Sequence, residues 1–79
     1  MTVRAKFTVN SITRAKWGEQ EVQTIKLSPV YGNGDPEHEN TKFWQASPSG
    51  SIELGTVNEA AARQFELGKE YYIDFTPAS

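Results

Sequence analysis

Short runs in which apolar and polar residues alternate constrain the fold of this chain more than any other feature. Residues 3–9 carry an apolar side chain at every second position, and the same period recurs in residues 51–57 and 69–76. A two-residue period is typical of strands that bury one face. Residues 21–31 are rich in β-forming side chains, so residues 3–15 and 21–31 are predicted to form a hairpin closed at Trp17-Gly18.

One helix is predicted between the last two strands. Asn58 is a suitable N-cap, Glu59 suits the first turn, and Gly68 is a good residue to end the helix. Its apolar face is expected to carry Ala61, Ala62, Phe65 and Leu67. With a further short strand over residues 42–46, the predicted fold is mainly β (α+β): a small five-stranded antiparallel sheet or barrel with one short helix between the last two strands.

Composition limits what such a protein can do. The chain has 79 residues, so a single domain over residues 1–79 is expected. It has no cysteine, which excludes disulfides and thiolate metal sites. The net charge of −2 disfavours long nucleic acid as a partner. No apolar run approaches the roughly 20 residues of a membrane helix. A homodimer is expected, because small domains gain buried area by association.

Residues 35–50 concentrate the side chains that suit a ligand site. Phe43 and Trp44 are adjacent, so one ring is expected in the core and the other exposed or in a site. Aromatic faces stack on bases, and hydroxyls, amides and cations contact phosphate and base edges. Stacking is predicted for the aromatic residues, phosphate contact for Lys42 and the serines, and base-edge contact for Glu39 and Asn40. The predicted ligand-binding residues are Tyr31, Glu39, Asn40, Lys42, Phe43, Trp44, Ser47 and Ser49.

Signals of catalysis are missing from the sequence. His38 is the only histidine, and its spacing to Asp35 and Glu39 matches no metal motif. Neither a glycine-rich phosphate loop nor a nucleophile elbow occurs. The prediction is therefore a protein that is not an enzyme and that uses no metal or cofactor.

Three segments carry a resemblance to a known family. Residues 39–50, 52–55 and 65–72 resemble small proteins of tailed phages, specifically the anti-CBASS type 4 family of nucleotide sponges. The resemblance extends over residues 28–78. It implies a viral protein in the cytoplasm of the infected bacterium. Such a protein would bind a cyclic dinucleotide such as 3′,3′-cGAMP and so keep this immune signal from the host's antiphage defence.

Two other functions remain open. A five-stranded barrel with one helix would also suit an OB-like protein that binds single-stranded nucleic acid, although such binding needs a cationic surface. A small structural or assembly protein of the virion is the other alternative. In that case Trp17, which lies in a turn beside Arg14 and Lys16, and Trp44 would contact other proteins.

Overall fold

The computed structural model describes residues 3–33 and 35–79, and Met1, Thr2 and Gly34 lie outside the described residues. It is mainly β, with four antiparallel strands in one open sheet and two short helices. The strand order is β3-β2-β1-β4. The elements are β1 (Val3–Trp17), β2 (Gln20–Pro29), α1 (Glu39–Trp44), β3 (Ile52–Thr56), α2 (Glu59–Ala62) and β4 (Glu70–Phe75).

The structure corrects the predicted five-stranded sheet or barrel, because the described residues form four strands in one open sheet. Residues 42–44 belong to helix α1, and Gln45 is its C-cap. The helix forms here because His38 acts as its N-cap, with Nδ1 accepting a hydrogen bond from the backbone N–H of Asn40 at 3.1 Å. Within the described part of the chain no strand pairs with both β3 and β4, so these two strands remain the edges of the sheet.

The predicted hairpin is confirmed, and β1 continues to Trp17, which pairs with Gln20. A bulge interrupts the register of the hairpin between Val9 and Ser11. One extra residue in a strand reverses the alternation of its faces. Ile12 therefore lies on the same face as Val9 and pairs with Ile25.

One face of the sheet forms the core, and both helices lie on it. Helix α1 packs on β1, and α2 packs on β2 and β3. The buried core of the sheet consists of Ala5, Phe7, Val9, Ile25 and Leu27. Half-buried side chains that pack against it include Ile12, Trp44, Ile52, Phe65, Tyr71 and Ile73.

Helix α2 is capped as predicted but is shorter than predicted. Asn58 Oδ1 accepts a hydrogen bond from the N–H of Ala61 at 3.2 Å. The helix ends at Ala62 because the Tyr71 hydroxyl donates to the carbonyl of Gln64 at 2.8 Å and accepts from the N–H of Glu66 at 3.0 Å. These two backbone groups are thus bonded to a side chain from β4 instead of continuing the helix. Of the predicted apolar face, Ala62 is buried and Phe65 packs on the core, whereas Ala61 and Leu67 are exposed.

The part of the chain that the structure describes contains no helix with the length and hydropathy needed to cross a membrane.

Candidate functional site

Helix α1 is fixed to the sheet by Asn40, whose side chain is fully buried. Asn40 Oδ1 accepts from the N–H of Lys6 at 2.6 Å, and Nδ2 donates to the carbonyls of Lys6 at 2.7 Å and Val30 at 2.5 Å. Strand β2 ends at Pro29, so the amide completes the hydrogen bonding of β1 where its neighbouring strand stops. Burial and these three bonds give Asn40 a structural role, in place of the predicted exposed contact with a base edge.

Trp44 is the ring of the aromatic pair that faces the core. Its indole lies 6.2 Å from the Phe7 ring between centroids, and Nε1 donates to the carbonyl of Ser49 at 3.1 Å. Phe43 packs edge-on against the indole at 4.6 Å, yet half of its surface (50%) is exposed. The accessible ring for stacking is therefore Phe43, and Trp44 together with Ser49 supports it from behind.

Phe43 lies in an open cleft of about 320 Å³ that we call the Phe43 cleft. It is lined by Val3, Arg4, Glu39, Lys42 and Phe43. Glu39, Lys42 and Phe43 share one face of α1 because they are three and four residues apart. The structure thus brings together three of the predicted site residues and adds Arg4, which was not among them.

The cations of the Phe43 cleft have acidic neighbours. Arg4 Nε donates to Asp74 Oδ1 at 2.7 Å, and Nη2 donates to Oδ2 at 3.0 Å. A guanidinium has five N–H groups, so this pairing leaves donors for an anion. Lys42 Nζ lies 3.7 Å from Glu37 Oε2 in an exposed ion pair, and such pairs are weak and exchange easily.

The surroundings of Glu39 stabilise the negative charge of its carboxylate. A hydrogen bond from its own backbone N–H lowers the pKa of the Glu39 carboxyl below its usual range; desolvation opposes this shift, and the nearby charges of Lys6 and Lys42 add to it. The group is therefore ionised at neutral pH, where a carboxylate accepts hydrogen bonds and donates none. The cleft thus presents an aromatic face, an acceptor and two cations.

A second cleft of about 310 Å³, which we call the Tyr31 cleft, has an uncharged lining. It is lined by residues 31–33, Thr41 and residues 45–48. Tyr31 is 63% exposed, and Thr41 and Gln45 share a face of α1 that differs from the face of Phe43. Gly32 is required here, because a Cβ at this position would collide with Thr41 Oγ1.

The eight predicted residues thus separate into three groups. Glu39, Lys42 and Phe43 line one cleft, Tyr31 and Ser47 line the other, and Asn40, Trp44 and Ser49 support α1 from the core side. Lining residues that were not predicted from the sequence include Val3, Arg4, Asn33, Thr41 and Gln45. Had residues 39–44 been recognised as a helix, the spacing of three and four residues would have grouped Glu39 with Phe43, and Thr41 with Gln45.

Comparisons with protein-family models, with curated proteins and with solved structures found no match for this chain. The resemblance to phage nucleotide sponges therefore stays a prediction.

Proposed function

We propose that this protein is a non-catalytic viral binding module that sequesters a cyclic dinucleotide, such as 3′,3′-cGAMP, in the cytoplasm of an infected bacterium. One observation carries the proposal: an exposed ring, Phe43, lies between a carboxylate and two cations in one cleft. A nucleotide offers the complementary groups, namely a flat base, base-edge donors and a phosphate.

Four side chains of the Phe43 cleft have a role in ligand binding. Phe43 stacks on a base, an interaction that contributes roughly 1–3 kcal/mol. The Glu39 carboxylate accepts hydrogen bonds from the N1–H and N2–H donors at the edge of guanine. Arg4 and Lys42 contact a phosphate, where charge-assisted hydrogen bonds are the stronger kind.

The size of the cleft favours a ligand that is shared. Small-molecule sites have volumes of roughly 300–1,000 Å³, so a cleft of about 320 Å³ suits one nucleoside and not a whole cyclic dinucleotide. Nanomolar retention needs about 12 kcal/mol, more than one stacked base provides. We propose that a second copy of the chain completes the site.

The surface beside the Phe43 cleft suits such a homodimer. A shallow groove lined by Val3 and residues 74–77 adjoins the cleft and shares Val3 with it. Phe75 in this groove is 52% exposed. Association across the groove would cover Phe75 and bring a second protomer to the open side of the Phe43 cleft.

Calorimetry with a panel of cyclic dinucleotides tests the proposal. We expect binding of at least one member, and a loss of at least tenfold in affinity for Phe43→Ala. Trp17→Ala is a matched control, because it removes another exposed ring (67% exposed) at the far end of the hairpin. An absence of heat with every member at micromolar concentrations would count against the proposal, as would equal effects of the two substitutions.

The alternatives differ in what supports them. The OB-like alternative assumed a five-stranded barrel, and the open four-stranded sheet removes that support. A virion structural or assembly role is favoured by one observation: β4 pairs only with residues 3–8 of β1, so the hairpin extends beyond it and ends at the exposed Trp17. Mass spectrometry of purified particles tests this role, since an assembly protein of the virion should be present in them.

A further inference from the structure

The Tyr31 cleft contains an unusual pair of backbone conformations. Among the described residues, the non-glycine residues with positive φ are Asn33 and Gln45, both at +54°, and both line this cleft. Gln45 is the C-cap of α1, and glycine is the usual residue where a helix ends in a left-handed conformation. Strained residues of this kind concentrate at ligand sites, where the side chain that they retain has a use.

The lining of the Tyr31 cleft selects the kind of ligand. Its residues carry no charged side chain, so nothing in the lining neutralises a phosphate. They offer two carboxamides (Asn33 and Gln45), two aliphatic hydroxyls (Thr41 and Ser47) and the exposed ring of Tyr31. A carboxamide has a donor and an acceptor side by side, which matches the N6–H donor and ring-nitrogen acceptor of adenine.

We infer that the Tyr31 cleft binds an adenine base, with Tyr31 as the stacking face and the carboxamide of Gln45 reading the adenine edge. Aromatic stacking combined with edge hydrogen bonds is the usual way in which proteins hold an unpaired base. The inference deepens the proposed function: guanine is assigned to the Phe43 cleft of one protomer and adenine to the Tyr31 cleft of the second copy that completes the site, so a ligand containing both bases is preferred.

Adenosine is the probe, because it carries the base without phosphate. In an NMR titration, adenosine should shift the side-chain amide signals of Gln45 and the backbone signals of Thr41 and Ser47, and guanosine should shift them less. Tyr31→Ala should weaken adenosine binding at least tenfold, whereas Tyr31→Phe should retain it. Gln20→Ala, a change at an exposed position at the start of β2, is the control and should have no effect.

Gln45→Gly separates a ligand role from a structural one. Glycine adopts positive φ without strain, so this variant should melt at a higher temperature than the parent and yet bind adenosine at least tenfold more weakly. Gln45→Asn, which keeps the carboxamide and tolerates the left-handed conformation, should recover part of the affinity. A residue that served only to end the helix would give the gain in stability without the loss of binding.

Two results would overturn the inference: no shift at the Tyr31 cleft with millimolar adenosine, or unchanged adenosine affinity in both Tyr31→Ala and Gln45→Gly. If a cyclic dinucleotide binds with an affinity that these two substitutions do not change, the adenine assignment fails and the proposed function stands. If adenosine binds as described and no cyclic dinucleotide does, the proposed function fails and the adenine site stands.

Discussion

The side chain of Asn40 forms hydrogen bonds with the backbone of β1 like those that a neighbouring strand forms elsewhere in the sheet. Its amide both donates to and accepts from the backbone of Lys6, and also reaches the carbonyl of Val30. Only a carboxamide offers this combination of groups at that size. The contacts within the fold are therefore enough to make the position specific for Asn.

Replacement of Asn40 by Asp should destabilise the protein by about 3 kcal/mol or more at pH 7, because a buried carboxylate would face two carbonyl oxygens. Burial would raise the folded-state pKa of that Asp above its unfolded value. The neutral form stabilises the fold at low pH, and that contribution is lost as the pH rises through the folded pKa. Urea unfolding at pH 4 and pH 7 measures the free energy of unfolding of this variant. Asn10→Asp, at an exposed position, is the control; equal losses for the two variants would contradict a special role for Asn40.

The Arg4–Asp74 pair should be visible in the acid titration of the protein. The hydrogen bonds from Arg4 hold the pKa of the Asp74 carboxyl below its ordinary value. A depressed folded pKa contributes stability above the unfolded pKa of about 3.9 and loses it as the pH falls through the folded value. In an NMR titration, Arg4→Gln should move the Asp74 midpoint back toward about 3.9. An unchanged midpoint would mean that the two side chains do not pair in solution.

Helix α1 is six residues long, and a helix of this length is not stable in isolation. It is held by the bonds of Asn40 and by packing of Trp44 on Phe7. Lys42 and Phe43 lie on its outer side and line the Phe43 cleft. The element is thus divided into a side that stabilises it and a side that is free for a ligand.

Substitution of the adjacent residues Phe43 and Trp44 should show which side of α1 stabilises the fold and which side is free for a ligand. Trp44→Ala should cost about 3 kcal/mol because it removes a large side chain packed on the core. Phe43→Ala should cost less than about 1 kcal/mol, as exposed positions generally do. Thermal unfolding of both variants measures the difference. If Phe43→Ala destabilises the protein more than Trp44→Ala does, Phe43 is the core ring and Trp44 the accessible one.

The folded chain is long and thin for its size. Its radius of gyration is 14.5 Å and its principal extents are 47, 31 and 18 Å, whereas a compact domain of this length has a radius of gyration of about 12 Å. Two layers, one sheet and two short helices, leave large apolar side chains at the surface, including Phe43 and Phe75. A molecule of this shape gains stability by covering such side chains with a second copy.

The proposed dimer predicts a concentration-dependent sedimentation coefficient. Phe75→Glu should shift the protein toward monomer, because a charge would then replace the apolar ring that the second protomer covers in the groove. Leu67→Glu, at an exposed residue away from that groove, should leave the dimer intact. Analytical ultracentrifugation, with and without a cyclic dinucleotide, measures the association. A parent protein that is monomeric under both conditions would contradict the shared-ligand arrangement.

Local signals were enough to predict much of the sheet. The hairpin, the strands β3 and β4 and the cap at Asn58 all follow from side chains that lie close together in the chain. The bulge after Val9 was not predicted. The sequence does indicate it, because the apolar residues change from odd positions up to Val9 to an even position at Ile12.

The sequence by itself determined a mainly β chain with a hairpin, and it placed candidate ligand residues within residues 31–49. Only the tertiary structure decided that residues 39–44 form a helix, which of two adjacent rings is buried, and that the candidates divide between two clefts. The physical reason is that α1 depends on contacts with β1 more than thirty residues away, from Asn40 to Lys6 and from Trp44 to Phe7. Local propensity contains no information about such partners.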